Sequence, residues 1–315
     1  MEASKDFRAF YEKELQPLLV PLETERRKIK KLALTGILFL LGSFPLFFIN
    51  GVVQNPVIIV LAFIFVLTGM IFLVKFSNRQ KKYRLLFKES IVRKVIGFTE
   101  PGLEYFPGRA IEEADYKKSG LFLTDPDRYK GDDYVQGMHG KTFFCFSELH
   151  TEQQVSNGKQ TSWVTIFKGL FFIADFNKNF SGRTYVWSEK NPQLNFLSRF
   201  FSSFARKLEV VKLESPEFEK RFIVYSNDQV EARYILTPSF MERAVKLQQM
   251  MGEGVCLSFI DTNIYVAVPI KDGLFEPALF ASNDFSRLEE FRITLGIVYD
   301  IMDELRLNDR LWGKE

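Results

Sequence analysis

The chain has 315 residues, 42 Lys and Arg against 39 Asp and Glu, and a formal net charge of +3. The excess of positive charge concentrates beside one oily stretch, which argues for anionic headgroups as its partner and against nucleic acid. Two cysteines, Cys145 and Cys256, both inside apolar runs, are too few for a disulfide framework and read as buried thiols in a reducing compartment.

Residues 1–31 carry Phe7, Phe10, Tyr11, Leu15, Leu18 and Leu22 at three- and four-residue spacing, the pattern of a juxtamembrane amphipathic helix that Pro17 and Pro21 should break or bend. Residues 32–75 follow. Between Lys31 and Lys75 there is no charge at all, and the run is about twice the ~20 residues one crossing needs. Asn50, Gly51 and Asn55-Pro56 mark a turn, so the spacing predicts one transmembrane helix over Leu32–Ile49, a second over Val57–Val74, and a kink near Pro45. Gly36, Gly42, Ser43 and Pro45 make the first the weaker helix. Arg26, Arg27, Lys28, Lys30 and Lys31 precede the hairpin, and Lys75, Arg79, Lys81, Lys82 and Arg84 follow it. Positive flanks stay inside, which puts both termini and the main domain in the cytoplasm. A cleaved leader does not fit, since no small-residue cleavage site is followed by export-like sequence.

The second helix should run on through Tyr83, Phe87, Ile91, Val95 and Phe98 and take the N-terminal stripe as its partner. Residues 76–188 then read as this helical extension and a Phe-rich antiparallel sheet, with 34 Phe in the whole chain to bury. Ile111–Ser119 is a short helix ending at Gly120, and LTDPDRYKGDDY a solvated turn, its acids lacking the alternate spacing of a calcium loop. Asn157-Gly158 predicts a two-residue hairpin pairing Phe143 with Phe172, Phe144 with Phe171, Leu149 with Ile166 and Glu152 with Trp163.

Residues 189–315 read as an α+β unit, or as one domain with 76–188 if the sheet is continuous. Phe196, Phe200, Phe201 and Phe204 fall on one face of an Asn195–Leu208 helix, with Arg199, Arg206 and Lys207 opposite and no acid. That is the pattern of a helix in the membrane interface, and equally of one packed on a sheet with a basic outer side. Val210–Leu213, Arg221–Tyr225 and Val230–Leu236 are expected strands. A Thr237-Pro238 start and a Gly252 stop define a helix; Val255–Ile260 and Ile264–Val268 form a hairpin; and Phe285–Leu305 is a long C-terminal helix.

Chemistry is sparse. His139 and His150 are the sole histidines, Cys145 points away from Glu148 and His150 in a strand, and no metal set, phosphate loop or nucleophile elbow stands in the sequence. No cofactor is implied. Asp132, Asp133, His139 and Glu148 are the one polar cluster that could serve a catalyst.

The blocks SGLF (119–122), YKGDDYVQG (129–137), FSE (146–148), FKGLFFIADFNKNFSGRTYV (167–186) and FEKRFIVYSNDQVEARYILTPSFMERA (218–244), placed after the hairpin, resemble the bacterial domain of unknown function family 3137 over most of residues 80–305. The resemblance implies a bacterial membrane protein and a LemA-type membrane protein as a partner, with no residue roles. The whole reads as an α+β protein: an N-terminal transmembrane helical hairpin and a cytoplasmic domain with a mainly antiparallel sheet. Such a protein would bind or scaffold a membrane protein or lipid; the rival is an enzyme on a membrane-associated or small cytosolic substrate.

Overall fold

A computed structural model describes residues 2–156, 158, 160–175, 179–189, 208–271 and 273–304. The chain divides into two compact units, 1–98 with 275–292, and 99–274 with 293–315.

In the first unit the chain climbs and descends as two long helical arms. α1 (Glu2–Phe10) passes through a π turn at Tyr11–Leu15 into α2 (Gln16–Val53). α3 (Pro56–Phe87) continues through a second π turn, Lys88–Val92, into α4 (Arg93–Thr99). The helix does not stop at Ile49 as expected. It carries Asn50 and Gly51 within its last turn and ends at Gln54, whose φ of 53° is left-handed. Asn55 then caps α3, its side chain accepting from Val57 N at 2.9 Å, and Pro56 takes the first turn, where its missing N–H costs nothing. Pro21 and Pro45 stay inside α2, and Pro17 lies in its first turn. A single proline removes one bond of the ladder, and a long helix packed along its length absorbs that.

Below residue 31 the arms pack through large side chains. Phe10 stacks on Phe98 at 4.3 Å, Phe7 meets Phe98 at 5.6 Å, and Lys94 reaches Glu14 at 2.8 Å. The predicted pairing of the N-terminal stripe with the extension of the second helix is what forms, although Leu86 lies 54% exposed and off the stripe. Residues 275–292 complete this unit. Phe285 packs on Phe7 at 5.7 Å and Tyr11 at 5.4 Å, Phe291 on Phe87 at 6.3 Å, and Glu276 takes Lys88, which is 3% exposed, at 3.0 Å.

Above residue 31 small residues take the most buried positions, with Phe39 packed on Phe65 at 5.3 Å and on Phe72 at 5.9 Å beside them. Ala33, Ser43 and Ala62 are buried, while Leu38, Phe44, Phe48 and Val52 are between 70% and 78% exposed. A Cβ on Gly69 would stand 3.0 Å from the carbonyl oxygen of Gly36, and one on Gly36 would stand 3.2 Å from that of Gly69, so the two backbones touch there. Gly36 and Ser43 are therefore interface positions, where close approach outweighs the helix propensity they give up.

The second unit is built on one antiparallel sheet of nine strands in the order β1-β2-β3-β4-β9-β8-β5-β7-β6. They are β1 (Glu104–Phe106), β2 (Arg128–His139), β3 (Thr142–Ser156), β4 (Thr161–Asp175), β5 (Arg183–Ser188), β6 (Glu209–Val210), β7 (Phe222–Ser226), β8 (Cys256–Ile260) and β9 (Asn263–Pro269). Strands from both sides of Ser188 and Glu189 share this sheet.

Several local expectations change. The β3–β4 hairpin closes on Ser156 opposite Thr161, a four-residue loop with Gly158 at φ 82°, and a bulge near Thr151 and Glu152 adds a further shift. Hence Phe172 faces Phe146 and Trp163 faces Gln154, not Phe143 and Glu152. The two-residue turn is one hairpin earlier, at Gly140-Lys141 between His139 and Thr142, with Gly140 first at φ 61°. The stretch read as a solvated turn is partly strand, since β2 begins at Arg128. Val230–Leu236 is mostly helix (Gln229–Ile235), because Asp228 caps it by accepting from Val230 N at 3.0 Å and Glu231 N at 2.8 Å. Ala232 and Ile235 are its buried pair, whereas Val230 is 80% exposed. The expected Val210–Leu213 strand shrinks to the two residues of β6.

α5 (Glu113–Lys118) and the strands β8 and β9 stand close to their expected bounds, as does the Pro238–Met251 helix capped by Thr237. Ile111, Tyr116, Leu121, Leu149, Phe171 and Trp187 belong to the core on one face of the sheet. Cys145 and Cys256 lie in that core as free thiols, and burial pushes Cys145 up to about 11, so it stays protonated and unreactive near neutrality. On the other face Phe240 packs on Phe259 at 5.6 Å and Tyr299 on Phe144 at 5.9 Å. The last helix, Phe285–Glu304, is shorter than α2 and α3; Leu288, Phe291, Leu295, Val298 and Met302 are its buried positions.

Candidate functional site

Asp132 and Glu148 are cross-strand partners on β2 and β3. Asp133 occupies the bulge beside them at φ 57°, fully buried, and accepts the Tyr105 phenol at 2.5 Å. Its backbone N–H goes to Pro107 O, which ties β2 to the loop after β1. Glu148 accepts from Leu274 N at 2.8 Å, a loop-anchoring bond. His139 lies at the far end of β2, roughly 20 Å along the strand at about 3.3 Å per residue, with its ring 5.1 Å from that of Tyr299. The fold thus joins Asp132, Asp133 and Glu148 and leaves His139 apart. Phe196, Arg199, Phe200, Phe201, Phe204, Arg206 and Lys207 lie outside the described residues.

The first unit holds a cleft of about 510 Å³ that sequence reasoning did not find. Its walls come from α2 and α3, from Tyr11 in the first π turn, and from the segment that starts the last helix, 200 residues beyond Tyr83 at Asn283. Leu19 and Val20 give it an apolar side, and Tyr83 with Asn283 its inner wall. Asn283 is pinned by Ala278, whose N–H donates to Oδ1 at 2.7 Å and whose carbonyl accepts from Nδ2 at 2.9 Å; Nδ2 also donates to the Tyr83 hydroxyl at 3.2 Å.

Charges in the cleft are settled unequally. Glu23 is saturated, holding Arg26 at 2.6 and 2.7 Å and Arg27 Nε at 3.1 Å. Arg26 is itself nearly buried and donates to Leu279 O at 2.8 Å. Asp284 accepts from Ser282 Oγ at 2.9 Å and from Arg287 N at 3.4 Å, a cap for the last helix. Arg27 keeps a side chain 76% exposed, and its terminal nitrogens have no acceptor among the described residues. Tyr83 is only 4% exposed, and burial pushes its phenol up to about 12 against a smaller opposing pull from Arg26, so it remains a donor at neutral pH.

A second, smaller cleft of about 290 Å³ in the sheet unit has Ser188 and Gln248 at its base, joined at 3.2 Å, and the Arg221–Glu217 pair at its rim. Its polar groups are largely spent on one another.

The crystal structure of the mycobacterial trehalose monomycolate transport factor A is similar over 68% of this chain and 94% of that one, at 11% identity and a TM-score of 0.35, a likeness too loose to carry a functional implication. No curated protein matches the chain. A family model does match, over residues 165–307, a narrower stretch than the 80–305 that the sequence blocks suggested. Over that stretch the chain matches the family described as protein of unknown function, DUF3137.

Proposed function

We propose that the protein is a membrane-anchored binding or scaffolding module, held by its helical hairpin at the cytoplasmic face of a bacterial inner membrane and serving a membrane protein or lipid. One observation carries this reading. Over residues 32–74 the α2–α3 seam combines Gly36, Gly69, Ala33, Ala62 and Ser43 with Phe39, Phe65 and Phe72, while Leu38, Phe44, Phe48 and Val52 stand 70–78% exposed on the outer face, which is how a helix pair is built when that face is solvated by hydrocarbon. Both arms leave this region through basic flanks, supporting cytoplasmic termini. A LemA-type protein is the partner class suggested by the family resemblance.

The test is topology followed by capture. Reporters fused to either end should be active only in the cytoplasm, and crosslinking of the full chain in membranes should return a stoichiometric membrane protein or a reproducible lipid preference. A reporter active outside the cell would overturn the placement. Neither partner nor lipid preference would overturn the scaffolding role.

A further inference from the structure

We infer that the juxtamembrane cleft of the first unit is a binding site for a phosphodiester, the headgroup linkage of a phospholipid. This rests on the membrane placement proposed above only for the source of the ligand, not for its chemistry.

Tyr83 supplies the first observation. It is 4% exposed, lines the cleft, and accepts from Asn283, yet its own proton meets no acceptor among the described residues. A buried donor left unspent costs stability unless something from outside accepts from it. Its raised pKa keeps the proton in place. Arg27 supplies the second: Nε is committed to Glu23, and the remaining fork is uncommitted on the same cleft. A guanidinium fork and a phenol together suit an oxyanion with two accepting oxygens.

Charge sets the class. Arg27 in the lining and Arg26 behind it, against Glu23, leave one net positive charge on this wall, and the Asp284 carboxylate across the cleft brings the total to zero, which disfavours a dianion. A single open guanidinium fork with no net positive surplus suits the single negative charge of a phosphodiester better than a monoester or inorganic phosphate. Leu19 and Val20, about 10 Å further from Leu32 than Arg27 along α2, suit the terminal glycerol of a headgroup. Depth agrees. At ~1.5 Å per helical residue, Arg27 lies about 7 Å below Leu32 along α2, close to the thickness of one headgroup layer.

Native mass spectrometry on the full chain, delipidated in detergent, tests this with phosphatidylglycerol against diacylglycerol of the same tails. The diester lipid should be retained and diacylglycerol lost. Tyr83→Phe and Arg27→Gln should each cut retention at least about fivefold, while Lys82→Gln, a basic-flank residue outside the cleft, should not. Equal loss in all three variants would overturn the site in favour of general attraction to a basic flank; retention of diacylglycerol would overturn the phosphate requirement. Displacement of lipid by tail-less glycerophosphoglycerol but not by inorganic phosphate would support the diester chemistry and assign it a soluble source; displacement by inorganic phosphate would overturn the diester class. If Tyr83→Phe melts early, Arg27→Gln, whose side chain is mostly solvated, decides alone. The assay contains no bilayer, so its failure leaves the membrane placement standing, and a wrong topology leaves the cleft chemistry standing.

Discussion

The same two helices obey opposite packing rules along their length. Between residues 32 and 74 the backbones meet at Gly36 and Gly69, Ala33, Ala62 and Ser43 are the buried positions, Phe39 packs on Phe65 and Phe72 beside them, and Phe44 and Phe48 point away; further down the contact is made by Phe7, Leu15, Phe87 and Ile91, all fully buried. In water, burying a large apolar side chain is itself the driving force. In hydrocarbon that force vanishes, and only close backbone approach and dispersion remain. On the proposed membrane placement, a single pair of helices marks where its surroundings change.

That contrast can be broken most strongly in the arms. Phe87→Ala removes a fully buried ring between Tyr83 and Phe291 and should cost about 3–5 kcal/mol, read as a large drop in the melting temperature of the detergent-solubilised chain. A loss below ~1 kcal/mol would mean that the arms are not packed as described. Gly69→Val, at the point where backbones touch, should cost about 1–3 kcal/mol by forcing α2 and α3 apart, visible as a fall in crosslinking between cysteines placed at positions 39 and 72, whose rings stack at 5.9 Å.

A pH series sharpens the comparison further. Burial disfavours the Tyr83 phenolate and pushes the phenol up to about 12, above the ~10 of a free tyrosine. Its stabilising contribution is complete below pH 10 and is lost as pH rises from 10 through 12. Tyr83→Phe should flatten the alkaline limb of the stability curve in that window; an unchanged limb would place the loss elsewhere. The smallest effect belongs to the outward face of the span. Phe48→Leu, at 78% exposure, should change stability by less than ~0.5 kcal/mol in detergent, and a larger loss would mean that Phe48 has a protein neighbour instead of lipid.

What could be read in advance follows the range of the signal. The uncharged run and its basic gateposts are local, and so are Thr237-Pro238 with Gly252, so the hairpin and the Pro238–Met251 helix were legible. Val230–Leu236 failed because alternation over seven residues also fits a short helix with two buried positions, and the deciding signal was the cap at Asp228 just before it. Asn157-Gly158 marked a real reversal but not its length; the two-residue geometry went to Gly140-Lys141, where a single glycine at positive φ suffices. Gly36 and Ser43 were read as weak points because propensity is visible in one helix and interfaces are visible only in two. The cleft was illegible for the same reason, since Tyr83 gains its role from Asn283, far along the chain.

Each arm also holds one π turn, at Tyr11–Leu15 and at Lys88–Val92, and the Glu14–Lys94 pair shows that they stand abreast. Such a turn lodges one surplus residue in a widened loop of the helix, so the residues beyond it keep the face that an uninterrupted helix would give them. Removing one codon inside either turn should therefore leave that arm's aromatic face against its mate, as a plain α-helix. A one-codon deletion two turns away, where no surplus is stored, should rotate everything beyond it by about 100° and lose the folded chain.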